Sequence, residues 1–147
     1  EAGQVDQKAC GVLVAEARNK PCTFHRAFDI CSDPHIALEN IVACGFKRIL
    51  TSGMRNSVSE GLPIILDLLD LAKDRITIMP GGGLKPSDVE NLKASKNLYE
   101  VHASCKGFRN TRSLYTSKEV NLSKDPQTFH SVLTIDENIV SEFNKVL

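Results

Sequence analysis

Four short apolar runs, each ending in small or polar residues, recur at a nearly constant interval along this chain. They are Cys22-Thr23-Phe24-His25-Arg26-Ala27, Arg48-Ile49-Leu50-Thr51-Ser52-Gly53, Arg75-Ile76-Thr77-Ile78-Met79 with the Pro80-Gly81-Gly82-Gly83 that follows it, and Tyr99-Glu100-Val101-His102-Ala103-Ser104. Their first residues lie 26, 27 and 24 positions apart, the length of one strand and its returning helix. A chain that repeats such a unit builds a parallel sheet with right-handed crossovers. The polar residues then collect at the carboxyl ends of the strands, where parallel sheets place their ligands.

The segments between the runs carry helix signals. Val5, Ala9, Val12 and Leu13 recur at helical spacing and predict a helix over 4–18, broken by Asn19-Lys20-Pro21. Asp33-Pro34 is an N-cap acid followed by proline at the first helical position. The helix it opens turns Leu38, Ile41 and Val42 inward, ends at Gly45 and leads to a strand over 47–51. Ser57 and Glu60 have the spacing of a capping box ahead of the stripe Leu62, Ile65, Leu66, Leu69 and Ala72. Strands over 75–79 and 99–103 flank a short helix over 86–94, with Val89 and Leu92 inward. Residues 106–134 are polar and without period, which predicts a long loop with at most one short ordered piece. Asp136 starts a terminal helix to 147, with Ile139, Val140, Phe143 and Val146 on its inner face.

The expected fold is therefore α/β, in one domain over 1–147. Four parallel strands are too few for a closed βα barrel, which takes about 250 residues. The chain begins on a helix and with Glu1, so the reading favoured is the C-terminal half of a TIM barrel over an open four-stranded sheet. An opened cylinder has two strand edges and a bare lumen, so the expectation is association into a homo-oligomer.

Formal net charge is zero, with 18 residues of each sign, which argues against a nucleic-acid or polybasic membrane surface. No apolar stretch approaches a membrane span, and the first residues lack a secretory pattern. The five cysteines form no CxxC, which points to free thiols in a reducing compartment rather than a disulfide framework or zinc ribbon.

The four motifs Thr23–Asp29, Arg48–Gly53, Ile78–Gly83 and Glu100–Ser104, in this order and spacing, resemble the CutC family of copper homeostasis proteins. Phe108-Arg109-Asn110 and the terminal helix are similar to its animal branch. The resemblance implies a (βα)8 barrel in which this chain supplies strands five to eight. It also implies a cytoplasmic protein, or one both cytoplasmic and nuclear, that handles Cu(I) and needs no organic cofactor. The cysteines discussed as copper ligands in animal members lie in the front half, which this chain does not contain.

Candidate site residues follow from the strand ends. Alternation turns His25 on the first strand, and Glu100, His102 and Ser104 on the last, toward the interior. His25 and His102 are candidates for moving a proton, with Arg26 and Glu100 beside them, or all may simply fill the lumen with hydrogen-bonded polar groups. Arg26 and Asp29 are spaced to form an ion pair that fixes the loop. Gly81, Gly82 and Gly83 present backbone N–H groups for an anion, with Ser104 as an added donor and Thr51, Ser52 and Gly53 as a second, weaker set. The alternative for the glycines is a tight turn needing positive φ. Cys31 and Cys105 lie just past strand ends and are soft donors suited to Cu(I), whereas Cys10 and Cys44 read as packing residues. Two functions thus stand side by side. One is copper handling, implied by the resemblance. The other is an enzyme acting on a small phosphorylated or carboxylated substrate at the barrel mouth.

Overall fold

The protein is described from a computed structural model, which covers residues 2–115, 117, 119–120 and 130–147. It divides into two compact units, the first running to Ala103 and the second starting at Ser104.

The first unit is parallel α/β. β1 (Thr23–Phe24), β2 (Arg48–Thr51) and β3 (Thr77–Pro80) form a three-stranded sheet in chain order. Thr23 lies beside Arg48 and Arg48 beside Thr77, so these three share one face; Phe24, Ile49 and Ile78 share the other. The second face is the core. Ile49 and Ile78 are buried there with Phe28, Leu38, Ile41, Val58, Ile65, Leu68, Leu69, Val89 and Leu92. These come from α2 (Pro34–Ala43), α3 (Val58–Ala72), α4 (Pro86–Leu92) and the 3-10 turn Arg26–Ile30. Alternation thus sends β-branched and aliphatic residues toward the helices. Leu50 and Met79, on the opposite face, are only half-buried.

Local signals set most boundaries. Asp33 caps α2 as its sequence predicts, its carboxylate accepting from His35 N–H at 2.8 Å and Ile36 N–H at 2.9 Å. Ser57 does precede α3, but the capping box is not formed: its hydroxyl donates to Glu60 Oε1 at 3.0 Å and caps no backbone group. α1 (Gln7–Glu16) is shorter than expected and has no buried residue, with Leu13 67% exposed. The inner face of α3 is rotated from the predicted stripe: Val58, Gly61 and Leu68 are buried, whereas Leu62 and Leu66 are half-buried.

Two expectations fail. The run 99–103 forms no strand; a single parallel bridge joins His102 to Gly81, with His102 N–H donating to Pro80 O at 2.9 Å. The segment expected to be a loop contains β4 (Lys106–Asn110) and β5 (Ser131–Ile135), an antiparallel pair in register from Lys106 with Ile135 to Asn110 with Ser131. Residues 121–129 of that segment lie outside the described residues. The second unit closes with α5 (Glu137–Val146), capped by Asp136, whose carboxylate accepts from Asn138 N–H at 2.9 Å. Asp136 N–H donates to Cys105 O at 2.8 Å, which joins the helix start to the beginning of the hairpin.

Candidate functional site

The carboxyl ends of β1, β2 and β3 meet around Asp29. After Phe24 the chain enters a 3-10 turn, and in such a turn residues three apart stand on one side. This brings Arg26 Nε to 2.7 Å from Asp29 Oδ2, the ion pair expected from their spacing. From the end of β2, Thr51 Oγ1 donates to Asp29 Oδ1 at 2.5 Å, and Ser52 N–H reaches both carboxylate oxygens at 3.1 Å. Met54 N–H adds a bond to Oδ1 at 3.2 Å. The Ser52 hydroxyl lies 2.9 Å from Asp29 Oδ2 and 2.5 Å from Arg55 O; with one proton it donates to one of these at a time. It accepts from Arg26 Nη2 at 2.6 Å.

Asp29 is only 7% exposed, so its charge depends on these donors. Burial pushes its carboxyl up, but hydrogen bonds from Thr51, Arg26 and Ser52 outweigh this and hold it below the ordinary carboxylate range.

The glycine loop after β3 closes on the same place. Gly81 N–H donates to Thr51 O, and Val58 N–H, at the start of α3, donates to Gly82 O, both at 2.9 Å. Gly82 has φ of 106°, and a Cβ there would lie 2.8 Å from Arg26 Nη1 and 2.9 Å from its Cζ. The guanidinium therefore rests on Gly82, and the absence of a side chain is what admits it. Arg26 Nη2 also reaches Arg55 O at 3.3 Å, whereas Nη1 donates to nothing among the described residues.

The predicted site residues thus separate into groups. Thr51, Ser52 and Gly53 do gather at the strand end, but they are buried and face inward: Thr51 and Ser52 serve Asp29, and Gly53 N–H donates to Thr51 Oγ1 at 2.9 Å. In this structure these groups are engaged in holding the loop. His25 does not continue β1; it caps the 3-10 turn, its Nδ1 accepting from Ala27 N–H at 2.9 Å, so the bond requires an unprotonated Nδ1. Glu100 accepts from Arg48 Nε at 2.5 Å on the sheet face away from the core, and His102 is exposed beside Gly81. Ser104 belongs to the second unit.

Asp29 is the organising residue that sequence reasoning saw only as a partner of Arg26. From sequence, Arg55 has no role and Arg48 none beyond opening its run. Alternation along β2 carries a signal for Arg48, since it shares parity with Leu50 and not with the core residue Ile49.

All five cysteines are free thiols. Cys31 donates to Ala27 O at 3.6 Å, and burial, with Asp29 behind it, pushes its thiol up. Burial likewise raises Cys44 and Cys10, the latter also through Cys44 and Asp6. Among the described residues no three His, Cys, Asp or Glu side chains converge as a metal site, and no helix is long and apolar enough to cross a membrane.

A parallel α/β unit with a charged, glycine-lined rim at its strand ends has the architecture of βα proteins. Sequence comparison narrows the class: the model of the CutC family matches residues 1–107. The chain is 42% identical over 120 residues to the copper homeostasis protein cutC homolog of Mus musculus, and 40% identical to that of Homo sapiens. Each match covers 82% of this chain but 44% of the relative, so the chain spans less than half the length of these relatives. A crystal structure of CutC from Streptococcus agalactiae superposes with a TM-score of 0.62 at 30% identity, over 69% of this chain and 50% of that one. The chain belongs to the CutC family.

Proposed function

We propose that this chain acts in copper homeostasis as a cytoplasmic protein that carries Cu(I) as cargo, and that its parallel unit forms part of a (βα)8 barrel. The observation that carries this reading is the 40–42% identity to animal proteins named for copper homeostasis. Cys31 and Cys105 are the thiols to test, each on its own. Thiolate is the ligand form, so Cu(I) capture at Cys31 releases a proton and strengthens as pH rises. Anaerobic titration with Cu(I) against a chromogenic chelator should show stoichiometric capture, lost in Cys31→Ser or Cys105→Ser. Chelator colour that develops as fast with protein as without it would end the proposal. The chain is further proposed to function as a homo-oligomer, and a compact monomer in size-exclusion chromatography would contradict that.

A second reading is favoured by one observation, the uncommitted Nη1 of Arg26 above Gly82. In it the strand ends bind a small phosphorylated or carboxylated molecule, and His25 or His102 moves a proton. His25 could do so only through Nε2, since Nδ1 is occupied by the cap. Glu100 would take part indirectly, by fixing Arg48.

A further inference from the structure

We infer that Arg26, through Nη1, is the anchor for an oxyanion at the strand ends, with the backbone N–H of Gly83 completing the cradle; this rests on the second reading above as regards the place of binding, and requires no chemistry there. Three observations lead to it. First, the guanidinium is held rigidly on two of its three nitrogens. Nε is fixed to Asp29 at 2.7 Å, and Nη2 to Ser52 Oγ at 2.6 Å. Nη1 is left with two N–H donors and no acceptor among the described residues. A donor held by its neighbours loses little freedom when a ligand arrives.

Second, the guanidinium lies on Gly82, with Nη1 the atom nearest to where a Gly82 Cβ would stand. The parallel bridge between Gly81 and His102 directs the Gly82 N–H toward His102 O, whereas the Gly83 N–H makes no hydrogen bond among the described residues, and Gly83 is exposed. Arg26 Nη1 and the Gly83 N–H thus have no acceptor among the described residues, and water or a ligand must supply one. Third, the hydroxyls that would compete as ligand donors, on Thr51 and Ser52, are fully buried and already engaged with Asp29.

Asp29 balances the guanidinium charge. The cradle therefore offers directed hydrogen bonds more than net charge, and it distinguishes a planar or tetrahedral oxyanion from a halide. Phosphate monoesters and carboxylates share this chemistry.

The test is amide and guanidinium NMR of the 147-residue chain, titrated with inorganic phosphate and separately with acetate, at constant ionic strength set by chloride. Phosphate should shift the Gly82 and Gly83 amides and the Arg26 Nε signal in a saturable way. A matching response to acetate would assign the site to carboxylates as well; its absence would restrict it to phosphate. Arg26→Lys keeps a cation for Asp29 but removes Nη1, and should weaken binding by about tenfold or more. Gly82→Ala keeps the arginine and displaces it, and should act in the same direction. Saturable shifts at the glycines that persist unchanged in both variants would overturn the role of Arg26 while leaving anion binding at the strand ends in place. No saturable shift in the unmodified protein, Arg26 Nε included, would overturn both.

Discussion

Arg48 on β2 reaches past the neighbouring strand β3 to Glu100, with Nε 2.5 Å from Oε2. The run containing Glu100 has no strand ladder of its own, only the bridge from His102 to Gly81. The ion pair is thus the side-chain tie holding that run against the sheet face. Its hydrogen bond to Glu100 pushes the Arg48 guanidinium further up, so the arginine stays charged. Arg48→Gln should leave the midpoint of global unfolding almost unchanged and speed hydrogen exchange at the His102 amide. Equal exchange in the two proteins would show that the backbone bridge alone fixes the run.

Asp29→Asn should cost about 2–3 kcal/mol at neutral pH, because it removes the acceptor charge facing Arg26 and Thr51 in a buried position. The effect has a defined pH dependence. A carboxyl held below its ordinary range when folded contributes in full above its unfolded pKa of about 3.9, and the contribution fades as pH falls through the folded value. The difference between wild type and variant, measured by urea unfolding, should therefore be constant from neutral pH down to the carboxylate range and narrow below it.

Gly61 lies within α3, where alanine is the better helix former by about 1 kcal/mol. Gly61→Ala should nevertheless destabilise. A Cβ there would run into the carbonyl of Ser52 and come within 2.8 Å of Gly53 Cα, both backbone atoms of the loop that holds Asp29. Overpacking of this kind costs about 1–3 kcal/mol and outweighs the propensity gain. A rise in the denaturation midpoint would refute the close approach.

The thiols of Cys10, Cys31 and Cys44 are pushed up chiefly by burial, which lowers their thiolate fraction at neutral pH. Their alkylation by iodoacetamide should be slower than that of a small free thiol, should accelerate on raising the pH, and should reach the ordinary rate in denaturant. Peptide mapping after timed quenching separates the sites.

Features with a local physical cause were legible in the sequence. Asp33-Pro34 opens α2 because the cap and the fixed proline φ act within one turn. Asp136 opens α5 by the same kind of side-chain cap, with no proline behind it. The Arg26–Asp29 pair followed from a three-residue spacing. The parallel α/β class followed from the repeat of apolar runs, three of which pair in chain order.

Only the tertiary structure decided the rest, because it depended on which distant groups met. The run 99–103 has strand-like alternation, yet a strand exists only through a ladder, and a single bridge is all it makes. β4 and β5 are separated by twenty residues in the chain, from Asn110 to Ser131, and nothing in polar residues such as Lys106 or Arg109 announces a partner so far away. Helical periodicity predicted α1, but burial of its apolar residues required a surface to cover them, and Val12 stays 58% exposed. Thr51 and Ser52 stand at the end of β2, but that their hydroxyls meet Asp29 of the 3-10 turn was set only by the fold. Sequence encodes what neighbours along the chain can do to one another. Which of Arg26's nitrogens remained open was set by contacts across three strand ends, and those exist only once the sheet has formed.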